Sequence, residues 1–420
     1  MYVNPLKALT LGAIFLVLLP LSEGNAQRRA SSQYPFIKEH LNSIGNRKKG
    51  MTTFYDRLGA LDRGESNKLT IVHIGDSHIQ ADLFTGEVRK ALHRKFGAAG
   101  RGLVFPYSVA RTTSPGDIYS SSPNAWESKR NVFPDRPLPI GLSGITMKTM
   151  TGDFLLKLGV QSQSDIDYRF NYVTVFSDKG KGNYDMCVRY TPKGEDSEYY
   201  IDNQSDTYSR FSTSVVLDSL VRKIYIKGIE SGDDQNQAVI YGVVLENLYA
   251  RGIMYHTIGV NGAKYSHYNQ SEHFLTQFSE LNPDLVIISL GTNEALSGDF
   301  RPNSFFTEAS TFIQNIKNYA PSASILLTIP PDRYKSSRYP KSNAYITQVK
   351  EQLVNCAGQY NVGFWDFFSI MGGAGSIDKW YNAGIAQKDK VHLNRKGYKI
   401  QGELLYDALM KGYERHKLEE

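Results

Sequence analysis

The apolar positions of the chain fall into two textures. In the first, short aliphatic runs alternate with longer stretches whose apolar residues recur at helical spacing. Leu69 to Ile74 reads L-T-I-V-H-I and stops at Gly75, after which Leu83, Val88, Leu92 and Phe96 repeat with a helical period. Comparable runs stand at Ile253 to Ile258, Leu285 to Leu290, Ile325 to Ile329 and Val362 to Phe364. Helical stretches such as Phe305 to Tyr319 and Tyr345 to Tyr360 separate most of them. Strands alternating with helices predict a mostly parallel sheet covered on both faces, a three-layer α/β domain.

The second texture interrupts the first. From residue 118 to 250 helical periodicity gives way to short alternating runs at Tyr168 to Phe176, Tyr184 to Tyr190, Glu198 to Ile201, Ser212 to Leu217, Lys223 to Ile226 and Ala238 to Leu248. Clusters such as Asp178-Lys179-Gly180-Lys181-Gly182-Asn183 punctuate them. This reads as an all-β sandwich inserted into the α/β domain, whose segments are then 27–117 and 251–420. Residues 27 to 66 read as a helical approach segment.

The first 26 residues have a different pattern again. Lys7 precedes an apolar stretch from Ala8 to Leu21, and Gly24-Asn25-Ala26 supplies small residues where a signal peptidase cuts. The stretch is short of the roughly 20 residues a membrane span needs. The expectation is an exported protein, periplasmic or extracellular, without stable membrane insertion. The net charge of +6 favours residence near an anionic polymer. The basic residues are scattered rather than striped among aromatics, which argues against nucleic acid as a partner. Cys187 and Cys356 fall in different predicted domains, which favours two buried thiols over a disulfide.

Four short motifs carry candidate chemistry, and each follows a predicted strand or precedes a helix. Gly75-Asp76-Ser77-His78 puts a hydroxyl at a strand-to-helix junction, at the carboxyl edge of the sheet where ligands bind. Ser77 is placed either as a nucleophile or as a helix cap. Asp389-Lys390-Val391-His392 lets a carboxylate fold back onto an imidazole and fix its tautomer, unless the pair is a solvated loop. Gly259-Val260-Asn261-Gly262 and Gly291-Thr292-Asn293-Glu294 offer backbone and carboxamide donors of the kind an oxyanion hole requires. Asp76 reads as a structural carboxylate at the turn, and His73 as a core histidine. Gln80 and Arg101 are weaker candidates for lining the pocket, against plain helix-surface and loop positions.

The order of these motifs resembles the SGNH (GDSL-like) hydrolases, whose four blocks carry Ser, Gly, Asn and D-x-x-H. His78 stands where Leu is frequent, and Glu294 where Asp is frequent. The stretches I-V-H-I-G-D-S-H-I-Q-A-D (71–82), G-A-A-G-R-G-L-V-F-P (97–106) and Y-H-T-I-G-V-N-G-A (255–263) are most similar to Gram-negative peptidoglycan O-acetylesterases. That group carries a carbohydrate-binding-module-like β-sandwich after its first block. The resemblance implies a catalytic Ser77, Asp389 and His392, with an oxyanion hole from Ser77, Gly262 and Asn293. It further implies no metal or organic cofactor and an O-acetylated polysaccharide as substrate, with the acetyl ester on muramic acid O6.

Other readings remain at this stage: an acetylesterase acting on xylan or sialic acid, a glycan O-acetyltransferase on the same fold, or a glycan-binding protein without catalysis. A metal-dependent phosphoesterase requires G-N-H-[DE] and G-H-x-H blocks that the chain lacks.

Overall fold

The computed structural model describes residues 30–133, 138–161, 165–191, 197–203, 209–296, 299–336, 339–342 and 345–419. The expected signal segment, residues 1–26, lies outside them. The five predicted α/β strands form Lys68–Gly75, Gly252–Gly259, Leu285–Ser289, Ser324–Thr328 and Gly363–Trp365, all parallel. Within a six-stranded sheet they run in the spatial order second, first, third, fourth, fifth. The sixth member, Ile44–Gly45, pairs antiparallel along Gly363–Trp365 inside the segment expected to be helical.

Each strand sends alternate residues to opposite faces, and both faces are buried. Leu69, Ile71, Leu285 and Ile287 join one core with Phe54, Val88, Leu92, Leu404 and Leu409. These last five lie on the helices Thr52–Arg63, Leu83–Phe96 and Arg395–Lys417. Val72, Ile74, Val286 and Ile288 join the other core with Phe312, Ile313, Val349 and Leu353, from the helices Pro302–Tyr319 and Tyr345–Tyr360. A parallel sheet buried on both faces needs such continuous aliphatic runs, which is why they were legible as strands.

The interrupting segment forms two antiparallel sheets. One runs Ser197–Ile201, Asp185–Tyr190, Lys223–Ile229, Leu155–Val160, Ile118–Ser121; the other runs Ser212–Val221, Phe170–Ser177, Ala238–Glu246, Ile145–Thr149, Glu127–Arg130. Leu156, Leu158, Ile224 and Ile226 of the first share a core with Val173, Val175, Ile240 and Val243 of the second. That core is continuous with the second face of the parallel sheet. The strand Gly100–Val104 pairs with Ala238–Glu246, so the antiparallel region takes up chain well before the division expected at residue 118. Its two glycines at positive φ, Gly100 and Gly102, mask it as a strand in the sequence. Cys187 and Cys356 are both free and buried. Among the described residues no helix is long and apolar enough to cross a membrane.

Candidate active site

The strand order reverses direction between Lys68–Gly75 and Leu285–Ser289, which are neighbours although the chain visits Gly252–Gly259 between them. A crevice opens at such a switch point, outside the carboxyl ends of the strands. Ser77 follows the first strand, Gly262 the second and Asn293 the third. The short helix Ser77–Gln80 lies across the strand ends at very close range. A Cβ on Gly75 would stand 2.3 Å from Ile79 Cγ1, and one on Gly259 would stand 2.4 Å from Gln80 N. Only glycine at both positions admits the helix.

The expectation of one long helix behind Ser77 needs correction. Ser77–Gln80 ends at once, Asp82 turns left-handed at φ +57°, and the long helix starts at Leu83. The turn is held by a buried ion cluster. Arg89 Nη2 donates to Asp82 Oδ2 at 2.5 Å, and Arg101 Nη2 donates to the same oxygen at 2.7 Å. Arg101 Nε and Nη2 also clasp Asp117, at 2.6 and 2.9 Å. Arg101 is therefore a buried structural residue and does not line the pocket. Gln80 is corrected in the same way. Its Nε2 donates to Thr112 Oγ1 at 2.7 Å and Thr113 O at 3.1 Å, while its Oε1 accepts from Asn261 N at 2.7 Å. With the side chain buried and its amide engaged on both sides, it fastens loops together.

Ser77 Oγ lies 2.9 Å from His392 Nε2, and His392 Nδ1 lies 2.7 Å from Asp389 Oδ2. Asp389 Oδ1 accepts from Val391 N at 2.9 Å and His392 N at 3.0 Å, the local turn that the D-x-x-H spacing allows. Burial acts to raise the Asp389 pKa, but the imidazole and both backbone N–H groups outweigh it and hold the carboxyl below its usual range. An ionised Asp389 fixes the proton on Nδ1 and leaves Nε2 free to accept one from Ser77. Asn394 then caps the last helix, its side chain accepting from Gly397 N at 3.1 Å, which fixes where the loop ends.

Among the described residues neither Ser77 N–H nor Gly262 N–H has an acceptor in the protein. Gly262 sits at φ +86°, a conformation that favours glycine. Asn293 Nδ2 reaches Asp76 Oδ2 at 3.1 Å and Ala263 O at 3.0 Å, so its carboxamide is held between the first and second loops. Asp76 is the turn carboxylate expected, accepting from His78 N at 3.0 Å. It also orients Asn293, which the sequence does not reveal. Burial pushes Asp76 up to about 6, against the pull of the His78 N–H and of the charges on His392 and Arg333.

Further residues support this site through contacts that the sequence does not reveal. His78 packs under His392 with ring centroids 5.1 Å apart, and Tyr398 Oη lies 2.9 Å from its Nδ1. Burial and the nearby positive groups push the His78 pKa well down, which favours a neutral ring beside His392. Arg333, buried after the fourth strand, donates from Nη1 to Thr292 O at 3.1 Å and from Nε to Tyr334 O at 2.9 Å. Tyr334 N donates to Lys390 O at 3.0 Å, so the Arg333-Tyr334 pair ties the Asn293 loop to the His392 loop. His73 is the core histidine expected, between Tyr255 Oη at 2.8 Å and Ser289 Oγ at 2.7 Å.

Glu294 turns away from the triad and accepts from Tyr265 N at 2.8 Å through Oε1, while Oε2 is buried without a hydrogen-bond partner. Burial raises its pKa from 4.5 to about 7. A carboxyl whose folded value lies above its unfolded one stabilises the fold when protonated. Stability therefore falls as pH rises from about 4.5 to 7 and stays lower beyond. Glu294→Gln keeps the Tyr265 bond without the charge. It is expected to gain about 1–3 kcal/mol at pH 8 and nothing at pH 4 in urea melts. An equal change at both pH values would refute the assignment.

The profile of the GDSL-like lipase/acylhydrolase family matches residues 218–400, a span that takes in Gly262, Asn293, Asp389 and His392. No curated protein sequence matches the chain. The fold is similar to that of a peptidoglycan O-acetylesterase, with a TM-score of 0.72 and 24% identity over 86% of this chain and 96% of the other. A family two carbohydrate esterase from Cellvibrio japonicus matches 71% of this chain and 98% of its own at 10% identity and a TM-score of 0.30. A salicylyl-acyltransferase from a tetracycline biosynthetic pathway matches 70% and 97% at 13% identity and a TM-score of 0.32. Over residues 218–400 the chain is thus similar to the GDSL-like lipase/acylhydrolase family, and its overall fold is that of the O-acetylesterase structure.

Proposed function

We propose that the protein is an exported O-acetylesterase of a cell-envelope polysaccharide, peptidoglycan, acting on the O6-acetyl group of muramic acid. The observation that carries this reading is the Ser77–His392–Asp389 relay lying open at the surface. The His392 side chain is 31% exposed and that of Asp389 44%. An open relay accepts a short acyl group displayed on a bulky polymer, and it admits water to the acyl-enzyme. Likeness of fold to a peptidoglycan O-acetylesterase over most of the chain supports the reading. So do the three sequence stretches around Ser77, Arg101 and Gly262 and the export signal read in residues 1–26.

In this reading Ser77 Oγ attacks the acetyl carbonyl carbon while its proton passes to His392 Nε2. The negative charge that forms on the carbonyl oxygen is held by Ser77 N–H and Gly262 N–H, and by the Asn293 amide as it turns one N–H from Asp76 or Ala263 O toward the oxyanion. Collapse breaks the bond to the sugar oxygen, which leaves with the proton from His392. Water then gives a proton to His392 and attacks the acetyl-serine. Acetate departs, and the proton returns to Ser77.

The test is acetate release by the mature protein from O-acetylated peptidoglycan beside acetylated xylan. A kcat/KM at least tenfold higher on peptidoglycan is expected. Release from xylan alone would overturn the substrate while leaving the chemistry in place.

A further inference from the structure

A second cleft opens on the antiparallel sheets, beside the catalytic loops. Its volume is about 550 Å³, within the range of ligand sites. Ser108, Arg111, Ser121, Ser122, Asn124 and Trp126 line it. The chain just beyond Arg111 is attached to the helix that carries Ser77, since Gln80 holds Thr112 and Thr113 by the bonds described above. Asn261 Nδ2 adds a bond to Thr113 Oγ1 at 3.2 Å. Arg111 is the residue immediately before this fastened pair. The Arg111 edge of the cleft is thus joined through Thr112 and Thr113 to the helix that carries Ser77 and to the Gly259–Gly262 loop.

The lining has the chemistry of a site for hydroxylated polymers, with hydroxyl groups and a carboxamide around one aromatic ring. Trp126 is half-buried and pre-set. Its Nε1 donates to Ser122 Oγ at 2.9 Å, and its ring meets Phe154 edge-on with centroids 5.1 Å apart. Such a ring, held before the ligand arrives, loses little entropy on binding.

Arg111 adds a charge. Its side chain is exposed and has no hydrogen-bond or ion partner among the described residues. Glu127, on a neighbouring strand, faces Lys129 at 3.6 Å. The Arg111 backbone lies at φ +53°, a conformation that costs a side-chain-bearing residue energy and collects at functional sites. The turn that imposes it is closed by Thr112 N to Tyr107 O at 3.1 Å and Arg111 N to Ser108 O at 3.2 Å.

We propose that this cleft binds the glycan strand beyond the acetylated sugar, and that Arg111 selects strands carrying a carboxylate by pairing with it. The inference rests on the hydrolase reading of the neighbouring site and adds to it a preference for anionic over neutral glycans.

Two measurements test it. In the first, Arg111→Gln, which leaves the backbone requirement unchanged, is assayed on O-acetylated peptidoglycan and on p-nitrophenyl acetate. KM on peptidoglycan should rise about tenfold with kcat unchanged, the size of one charge-assisted hydrogen bond. The small ester should be hydrolysed as before, and Arg111→Lys should recover part of the loss. In the second, which needs no hydrolysis, the parent and Arg111→Gln are sedimented with de-O-acetylated peptidoglycan, glucuronoxylan and neutral xylan. The parent should bind the two carboxylate polymers more tightly than neutral xylan, and the variant should lose that difference. Equal binding of all three by the parent, or an unchanged variant, overturns the proposal. Failure of the parent to release acetate from peptidoglycan overturns the substrate reading instead and leaves the sedimentation result to decide this one.

Discussion

Ser77→Ala is expected to lower kcat for acetate release by on the order of 10⁵- to 10⁶-fold while leaving the thermal melt almost unmoved. Among the described residues the hydroxyl makes one hydrogen bond, the 2.9 Å bond to His392 Nε2. Its removal leaves a half-exposed imidazole that water can satisfy, so the fold loses little. The chemistry loses its nucleophile, because neither Asp389 nor His392 can form the acyl-enzyme in its place. Asp389→Asn should cost less, about 10⁴-fold, since the histidine keeps its place but favours the wrong tautomer. Burst kinetics with an activated acetate ester separate the two. Ser77→Ala should show neither burst nor turnover, and Asp389→Asn a slowed acylation. Activity retained in Ser77→Ala would remove Ser77 as the nucleophile.

The largest expected loss of stability lies in the cluster of Asp82, Arg89, Arg101 and Asp117. Two carboxylates and two guanidiniums are buried there, with Thr85 and Thr257 donating further hydrogen bonds to Asp82. Breaking such a set from one side leaves a buried charge uncompensated, at a cost of about 3–5 kcal/mol. Asp82→Asn should lower the melting temperature by roughly 5–15 °C on that scale. It should also reduce kcat, because the left-handed turn at Asp82 stops the helix Ser77–Gln80 just past the nucleophile. A melt unchanged by this substitution would show that the cluster does not secure the turn.

The pH dependence has a definite sign. Burial by itself would raise the Asp82 pKa, but the charges of Arg89 and Arg101 and the bonds from Arg89 and Thr85 hold it down, to about 2. Asp117 is held low by Arg101 in the same way. Both are groups whose folded value lies below the unfolded 3.8. Their contribution is complete above about pH 4 and is lost as the pH falls toward 2. Acid unfolding in that window should be shallower in Asp82→Asn than in the parent.

Much of the candidate site was legible because its residues stand in short contiguous blocks at strand ends. The five aliphatic runs predicted the five parallel strands, and the residues following them named Ser77, Gly262 and Asn293. The spacing Asp389 to His392 lets the two side chains meet inside one turn, so that pair was readable without any fold. The β segment was also readable where strands alternate, as at Lys223 to Ile226. It was not readable at Glu127–Arg130, an edge strand of polar residues whose ladder bonds need no apolar pattern.

What the sequence by itself determined was the layer architecture and which candidate groups meet at the strand ends, since both are written in local periodicity and in adjacent residues. What only the tertiary structure decided were the roles of charges and amides whose partners lie far along the chain. Arg101 looks the same in sequence whether it faces a substrate or Asp82 and Asp117. Gln80 looks the same on a helix surface or wedged among Thr112, Thr113 and Asn261. Arg333 shows no motif, yet with Tyr334 it joins the Asn293 loop to the His392 loop. A charged or amide side chain carries no periodic signal, and its effect depends on burial and on what stands within hydrogen-bond reach, both of which exist only once the chain has folded.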